Sequence, residues 1–199
     1  MAMTTTQAER ARALAAVRRG IFQCRKCRLG AGRRHAVPGE GPLGARVMFV
    51  GEAPGAREDA SGRPFCGRAG EYLDRMLALA ELPRDRVFIT GSVKCRPLGN
   101  REPRRDELAT CRGAWLERQL ELVAPGLVVT LGGVGLAQVA GPDPTLAEVR
   151  GGLIHAHGRP VLPTYHPAAG MRFPRVARAM ERDFETLGRL LAEGMPHDP

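Results

Sequence analysis

A short apolar run that ends abruptly in a glycine-rich loop constrains this chain more than any other feature. Residues 47–50 read V-M-F-V, a continuous apolar stretch that predicts a strand buried on both faces of a parallel sheet. Gly51 ends the run, and a loop rich in Gly, Pro and acidic residues leads from it to Phe65. Because open α/β sheets bind ligands at the carboxyl ends of their parallel strands, this loop is the first candidate for a functional site.

Apolar runs and helical patterns alternate along the rest of the chain. Further strands are predicted at residues 87–90, 127–131 and 160–164. Helices are predicted over residues 5–19 (broken by Gly20), 67–79, 104–123, 133–139 and 176–192, with a turn-rich segment at 141–152 and a frayed tail at 193–199. This alternation predicts a three-layer α/β/α fold with a central, mainly parallel sheet of four strands. We expect residues 1–199 to form a single domain, onto which the N-terminal helix and the Cys24/Cys27 segment pack.

The charge balance is basic. Lys and Arg total 30 against 21 for Asp and Glu, which gives a net charge of +9, and only Lys26 and Lys94 are lysines. The planar fork of arginine suits phosphates, so a polyanionic partner fits this balance. Drift in a GC-rich genome also raises Arg, Ala and Gly, so charge alone does not decide for nucleic acid. No apolar run approaches the roughly 20 residues of a membrane span, and we expect a cytoplasmic protein.

The cysteines indicate a metal centre. Cys24 and Cys27 form a C-x-x-C pair with no strand before it, which disfavours a thioredoxin-like redox site. A disulfide is unusual in the expected compartment, so thiolate ligation is the better interpretation. Cys95 and Cys111 are the candidate partners, and four thiolates suit an iron–sulfur cluster or zinc, between which the spacing does not decide. Cys66 is expected to be a small buried hydrophobe.

Six motifs, in order, resemble the uracil-DNA glycosylase superfamily. They are G-E-A-P-G (51–55), G-R-P-F (62–65), G-R-A-G (67–70), K-C-R-P (94–97), N-R (100–101) and T-Y-H-P (164–167). The resemblance runs from about Cys24 to Phe173 and is nearest to the iron–sulfur branch, family 4. It implies a base excision repair enzyme that flips uracil out of single- or double-stranded DNA and releases it by hydrolysis. Other deaminated bases are further candidate substrates, and we expect a monomer that associates with the nucleoid.

The same resemblance implies a cofactor and roles for the loop residues. It implies a [4Fe–4S] cluster on Cys24, Cys27, Cys95 and Cys111. Phe65 would stack on the flipped base, and backbone amides around Glu52 and Ala53 would address a carbonyl oxygen of the base. His166 would donate to the oxygen that gains negative charge, and Glu52 would orient or activate the water. Glu58 matches the residue that crowds the 5-position of the base and so excludes thymine.

The resemblance also implies DNA contacts, and the chain departs from the family at one position. The implied phosphate contacts are Arg68, Asn100, Arg101 and Arg172. In family 4 the second strand ends I-T-N, and that Asn pairs with the uracil edge, whereas this chain reads Ile89-Thr90-Gly91. A glycine has no side chain with which to bind a base, so we expect weaker uracil excision and a broader range of bases. On this basis Gly91→Asn is expected to raise uracil activity, unless Ser92 or the backbone supplies the missing contacts.

Two other interpretations remain at this point. One is a lesion-binding relative with little or no catalysis, which turnover on a uracil-containing oligonucleotide would distinguish. The other is a zinc-stabilised nucleic-acid-binding module, which a brown protein would exclude.

Overall fold

The computed structural model describes residues 6–194, whose centre is a five-stranded sheet. The strands are β1 (Val47–Gly51), β2 (Phe88–Gly91), β3 (Leu127–Leu131), β4 (Ile154–Ala156) and β5 (Arg159–Thr164). Their spatial order is β2-β1-β3-β5-β4. Strands β2, β1, β3 and β5 run parallel to their neighbours, and only β4 pairs antiparallel, with β5. The carboxyl ends of the four parallel strands therefore meet at one edge of the sheet.

Helices surround the sheet, joined by short irregular segments. They are α1 (Gln7–Gln23), α2 (Leu29–Gly32), α3 (Ala56–Ser61), α4 (Arg68–Leu79), α5 (Arg105–Cys111), α6 (Glu117–Val123), α7 (Gly133–Ala140), α8 (Leu146–Val149), α9 (Pro167–Gly170) and α10 (Pro174–Ala192). A π-helical turn, Arg112–Leu116, joins α5 to α6, and 3₁₀ turns occur at Arg84–Arg86 and Leu98–Asn100. Within residues 6–194, no helix combines the length and the apolar character needed to cross a membrane.

Both faces of the sheet are buried. Val47 and Phe49 of β1 contribute to one apolar core with residues of α4 and α10. Met48 and Val50 face the other way and form a second apolar core with residues of α6 and α7. Leu14 of α1 packs against this second core. Alternating residues of a strand point to opposite faces, so a strand covered on both sides must be apolar throughout. The prediction of a three-layer α/β/α fold with a mainly parallel sheet is confirmed.

The sheet has one strand more than the four that were predicted. The additional strand, β4, has three residues, and it joins β5 through a tight turn at His157 and Gly158, both with positive φ. Its central residue, His155, is exposed. A strand of three partly exposed residues at the edge of a sheet has too few positions to show an alternating pattern, which explains why the sequence did not reveal it.

The first helix does not end at Gly20, as was predicted, but runs on to Gln23. A Cβ atom at residue 20 would lie 2.6 Å from the ring of Trp115. The glycine therefore allows Trp115, in the π-helical turn, to pack closely on α1. The predicted helix start at residue 5 lies outside the described residues, and so do residues 195–199 of the tail predicted at 193–199.

Candidate active site

The residues predicted from strand ends come together at the carboxyl edge of the sheet. They line one cavity of about 360 Å³, whose lining includes Glu52, Ala53, Glu58, Phe65, Gly91, Asn100 and His166. Glu52 follows β1, Gly91 ends β2 and His166 follows β5, so the parallel topology itself brings them together. A larger cavity of about 890 Å³ opens at the opposite edge, between the ends of α4 and α10, and contains none of the predicted site residues.

Phe65 packs closely against two glycines, Gly51 and Gly70, and the sequence did not reveal this contact. Its backbone has a φ of 47°, in the left-handed region that non-glycine residues rarely adopt. A Cβ at Gly51 would lie 2.7 Å from the Phe65 ring, and one at Gly70 would lie 1.8 Å from the Phe65 carbonyl oxygen. Only glycine fits at these two positions while Phe65 keeps this conformation. Gly51 belongs to the motif G-E-A-P-G and Gly70 to the motif G-R-A-G. Their place in these motifs was the only indication in the sequence that glycine is needed there.

His166 lies beside Phe65, with 5.7 Å between the ring centroids. Its Nδ1 atom accepts a hydrogen bond from the backbone N–H of Ala168 at 3.2 Å. Burial lowers the pKa of His166 from 6.5 to about 4, so the ring is neutral near pH 7. A neutral imidazole whose Nδ1 accepts must carry its proton on Nε2. His166 therefore provides a neutral N–H donor in the cavity.

Glu52 is the second titratable group of the cavity. Burial raises the pKa of its carboxyl group, and the negative charge of Glu102 raises it further. A carboxylate with a raised pKa is a stronger base than an exposed one, which suits the abstraction of a proton from water. The neighbouring Ala53 also packs into the apolar cluster that contains the cysteines, and so connects the cavity to that region.

Glu58 lines the cavity, but its carboxylate is occupied by the backbone. Its Oε2 accepts from the N–H of Gly55 at 3.1 Å, and its Oε1 accepts from the N–H groups of Cys66 and Gly67, both at 3.0 Å. These bonds tie the start of α3 to the segment that follows Phe65. The geometry thus gives Glu58 a part in shaping the cavity, in addition to the predicted contact with the base.

Gly91 lines the cavity, and a side chain at this position would press on a neighbouring backbone segment. A Cβ at this position would lie 2.9 Å from the backbone oxygen of Val93, so one of the two backbone segments would have to move. The carbonyl oxygen of Gly91 accepts a hydrogen bond from Nζ of Lys94 at 2.7 Å. The substitution Gly91→Asn, which the resemblance leads us to test, would therefore require a shift of the Val93 backbone at this strand end.

The predicted DNA contacts divide into two groups. Arg68, at the start of α4, and Arg172, in the segment between α9 and α10, are exposed, and Asn100 lines the cavity. Arg101 instead donates two hydrogen bonds, of 2.7 and 2.8 Å, to the buried carboxylate of Glu107. These bonds are the main reason that the pKa of Glu107 is lowered to about 2. An arginine committed to a bidentate pair is a structural residue in this geometry, so Arg101 is less suited than the others to contact a phosphate.

Four of the five cysteines lie in one region. Cys95 and Cys111 are buried in an apolar cluster with Leu29 and Val93, and the half-buried Cys27 packs against it. Cys24 reaches the same cluster through Trp115, whose indole N–H donates to the Cys24 sulfur at 3.3 Å. Chain segments more than 60 residues apart therefore bring their thiols together.

This donor set fits an iron–sulfur cluster. N–H donors approach two of the sulfurs: Trp115 at Cys24, and the Arg33 guanidinium at Cys95, 3.1 Å away. Hydrogen bonds to sulfur, a positive charge and an apolar surround are the features by which proteins adjust such clusters. Within residues 6–194, no three His, Cys, Asp or Glu side chains converge on a single metal ion. Cys24, Cys27, Cys95 and Cys111 would be the four thiolate ligands that a [4Fe–4S] cluster takes.

Cys66 stands apart from these four. Its sulfur lies 3.1 Å from the hydroxyl oxygen of Ser61, in the loop that carries Phe65. The thiol is half-buried, so the expectation of a buried hydrophobe was wrong. The contact with Ser61 explains the difference, because the side chain sits at a polar loop surface and not in a core.

The fold and the cavity together define a class of protein: a three-layer α/β/α domain with a small site at the carboxyl edge of its sheet. Residues 38–187 match the family model described as the uracil DNA glycosylase superfamily. The chain belongs to this superfamily, and within it the chain is similar to type-4 members.

Three relatives illustrate this similarity, each named type-4 uracil-DNA glycosylase. The protein from Sulfurisphaera tokodaii is 40% identical over 183 residues, which cover 87% of this chain and 83% of the relative. The protein from Archaeoglobus fulgidus is 39% identical and covers 89% of this chain and 93% of its own length. The protein from Thermotoga maritima is 42% identical over 76% of this chain and 80% of the relative.

Proposed function

We propose that this protein is a DNA glycosylase that extrudes uracil from DNA and hydrolyses its N-glycosidic bond. The observation that carries the proposal is the neutral N–H donor of His166 beside the Phe65 ring, in a cavity that also contains Glu52. An aromatic face, a neutral donor and a carboxylate are the groups needed to bind a flat base, to stabilise its negative charge and to activate water.

Base binding comes first. The atoms that react are inaccessible inside a stacked duplex, so the nucleotide must leave the stack before the reaction. A cavity of about 360 Å³ lies near the lower end of the range for ligand pockets, about 300–1,000 Å³, which suits one small ring and not a base pair. Phe65 would stack on that ring, since aromatic side chains stack on bases without reading their sequence.

Bond cleavage follows. As the bond between the sugar C1′ and the base N1 breaks, its electron pair moves to the base, and a carbonyl oxygen gains negative charge. The Nε2–H group of His166 would donate to that oxygen. Preorganised donors of this kind act strongly in a cavity from which water is largely excluded. Because the pKa of His166 is about 4, the ring keeps one proton and needs no change of protonation state near pH 7.

Water completes the reaction. The oxygen of a water molecule forms the new bond to C1′, and Glu52 would accept the proton that the water loses. The raised pKa of the Glu52 carboxyl group supports this role. The released base, which leaves as an anion, then takes a proton from solvent.

The four grouped cysteines would hold a [4Fe–4S] cluster. When bound, it would cross-link three chain segments. Cys24 and Cys27 lie in the segment after α1, Cys95 lies in the turn after β2, and Cys111 lies at the end of α5. We propose that this function is structural.

The exposed Arg68 and Arg172, with Asn100, would contact the DNA backbone on either side of the cavity. Since one chain supplies the whole cavity, we propose that a monomer acts on cytoplasmic DNA.

A base-release assay tests the proposal. The protein as purified would be incubated with single- and double-stranded oligonucleotides that carry uracil, hypoxanthine, xanthine or thymine at one position. We expect release of uracil from both forms and none of thymine. Binding of uracil-containing DNA with no release would contradict the glycosylase and favour the lesion-binding alternative. A His166→Ala preparation serves as the control for contaminating activity.

A further inference from the structure

Lys94 is a buried cation that the proposed mechanism does not use. The chain has 28 arginines and two lysines, and one of those lysines is only 1% exposed. Lysines are almost never fully buried unless they are paired. In the described part of the chain, Lys94 forms no salt bridge with a carboxylate. Such a costly arrangement calls for a specific role.

The ammonium group contacts the strand end that lines the base cavity. Nζ of Lys94 donates to the Gly91 carbonyl oxygen and to Oγ1 of Thr90, both at 2.7 Å. These two residues close β2. The backbone oxygen of Lys94 accepts from the N–H of Val37 at 2.8 Å, and Val37 also lines the cavity. One residue thus binds two separate segments of the cavity wall.

The turn between Gly91 and Lys94 is bound to the loop that carries Glu52. The N–H of Ser92 donates to the Gly51 oxygen at 2.9 Å, and the N–H of Val93 donates to the Glu52 oxygen at 3.1 Å. The Ser92 hydroxyl also donates to the Gly51 oxygen, at 2.7 Å. Any displacement of this turn would therefore move the backbone of Glu52 as well.

On its other side, Lys94 faces the cysteines. Cys95 is the next residue in the chain, and Val93, on the other side of Lys94, belongs to the same apolar cluster as Cys95 and Cys111. The Lys94 ammonium has no carboxylate as its counter-ion. Thiolates that ligate a metal cluster are negatively charged and would supply this charge nearby. Lysine has a compact ammonium with three rotatable donors, whereas the planar fork of arginine has a fixed and wider shape.

We propose that Lys94 is a positioning residue that fixes the end of β2, and through it Glu52, in the geometry that binds the base and the water. This inference rests on the proposed function, and it assigns the task to a residue that contacts neither the DNA nor the reacting atoms. The ammonium group binds the strand end, and the backbone of Lys94 leads directly into Cys95, so this residue connects the cysteine region to the cavity wall.

The test compares Lys94→Met with Gln119→Met in protein purified with its cluster. Gln119 is a matched control because it is 2% exposed and accepts a hydrogen bond from the same Thr90 hydroxyl, whereas only Lys94 donates to the Gly91 oxygen. Amide hydrogen exchange, iron content and single-turnover release of uracil are measured for both variants. We expect Lys94→Met to keep its iron, to raise exchange at residues 91–93 about tenfold or more, and to leave β3 and β5 unchanged. Uracil release should fall about tenfold or more, since small misplacements in an active site are costly.

Gln119→Met should alter neither exchange at residues 91–93 nor the rate. Equal effects from the two variants, or loss of iron from Lys94→Met alone, would overturn the proposal. If Lys94→Met does not fold, Lys94→Arg provides the test. We expect this variant to keep the charge and still to raise amide exchange at residues 91–93. Exchange at the wild-type rate in Lys94→Arg would overturn the proposal. Because exchange is measured without substrate, it tests Lys94 even if the wild-type protein releases no uracil, an outcome that would contradict only the proposed function.

Discussion

The Nδ1 atom of His166 accepts a hydrogen bond from the backbone N–H of Ala168, and this one contact determines which ring nitrogen carries the proton. A ring that accepts at Nδ1 and remains neutral donates at Nε2. His166 is the N-terminal cap of α9, so a short helix at the end of β5 defines the orientation and the tautomer together. The proposed stabilisation of the leaving base depends on this local geometry.

Removal of the His166 donor should lower the rate and leave the fold intact. We expect His166→Ala to slow single-turnover uracil release about a hundred- to a thousandfold, the usual cost of losing an oxyanion donor. His166→Gln, which retains an N–H donor, should lose less. A rate close to that of the wild type for His166→Ala would remove this residue from the mechanism.

His166 also predicts how stability depends on pH. Its folded-state pKa of about 4 lies below the ordinary 6.5, so between these values the unfolded chain binds more protons than the native protein. The contribution of this group to stability is therefore complete above pH 6.5 and is lost as the pH falls toward 4. Urea unfolding across this range should show a smaller decrease for His166→Ala than for the wild type. Identical profiles would show that the surroundings of the ring do not lower its pKa.

Glu52 should determine the acid side of the pH–rate profile. Because the pKa of its carboxyl group is raised above 4.5, the group loses its charge at a higher pH than an exposed glutamate, and the rate should fall there. We expect Glu52→Gln to remove this dependence and to lower the rate by about a hundredfold or more, as for the loss of a general base. Binding of uracil-containing DNA should persist. A Gln variant with the wild-type rate and profile would assign the water to another group.

Glu58 should matter for stability as well as for specificity. Glu58→Ala leaves the partly buried N–H groups of Gly55, Cys66 and Gly67 without their acceptor. A fully buried unsatisfied group costs about 1–3 kcal/mol, and a partly buried one costs less. We expect a lower free energy of unfolding and weaker uracil binding, because these bonds support the segment around Phe65. Glu58→Gln should be intermediate. Release of thymine by a fully stable Glu58→Ala protein would instead favour contact with the base as the main role.

The cysteines allow a matched comparison within one chain. We expect Ala at Cys24, Cys27, Cys95 or Cys111 to remove iron and visible absorbance and to lower the unfolding temperature. Cys66→Ala should do neither, because its thiol contacts Ser61 away from the other four. Iron per chain and thermal unfolding are the measurements. Equal iron loss from the Cys66 variant would show that Cys66 is a ligand in place of one of the four.

Gly91 is a position at which a backbone contact bears on the effect of an added side chain. A Cβ there would lie 2.9 Å from the Val93 oxygen, so Gly91→Asn must displace backbone that is bound to Glu52. We therefore expect Gly91→Asn to lower uracil release, and Gly91→Ala to do the same through the Cβ alone. Release of uracil, hypoxanthine and xanthine by the wild type and both variants provides the comparison. Higher uracil activity in the Asn variant would show that the strand end adapts to the side chain.

Much of the architecture could be derived from the sequence because it depends on local patterns. The apolar run of β1, the alternation of strands and helices, and the residues that follow each strand are all visible within windows of a few residues. Parallel strands place their carboxyl ends at one edge, so Glu52, Gly91 and His166 could be assigned to one site before any coordinates were known. The type and order of the cysteines likewise indicated thiolate ligation.

The tertiary structure decided what depends on contacts between distant segments. The partner of Arg101 is a buried glutamate, the three acceptor bonds of Glu58 are to backbone amides, and Gly20 makes room for Trp115. None of these has a periodic signature, because hydrogen bonds and close packing depend on where separate chain segments meet in space. The same holds for Lys94, which in sequence is one cation among 30 and in the fold is a buried ammonium at the end of β2.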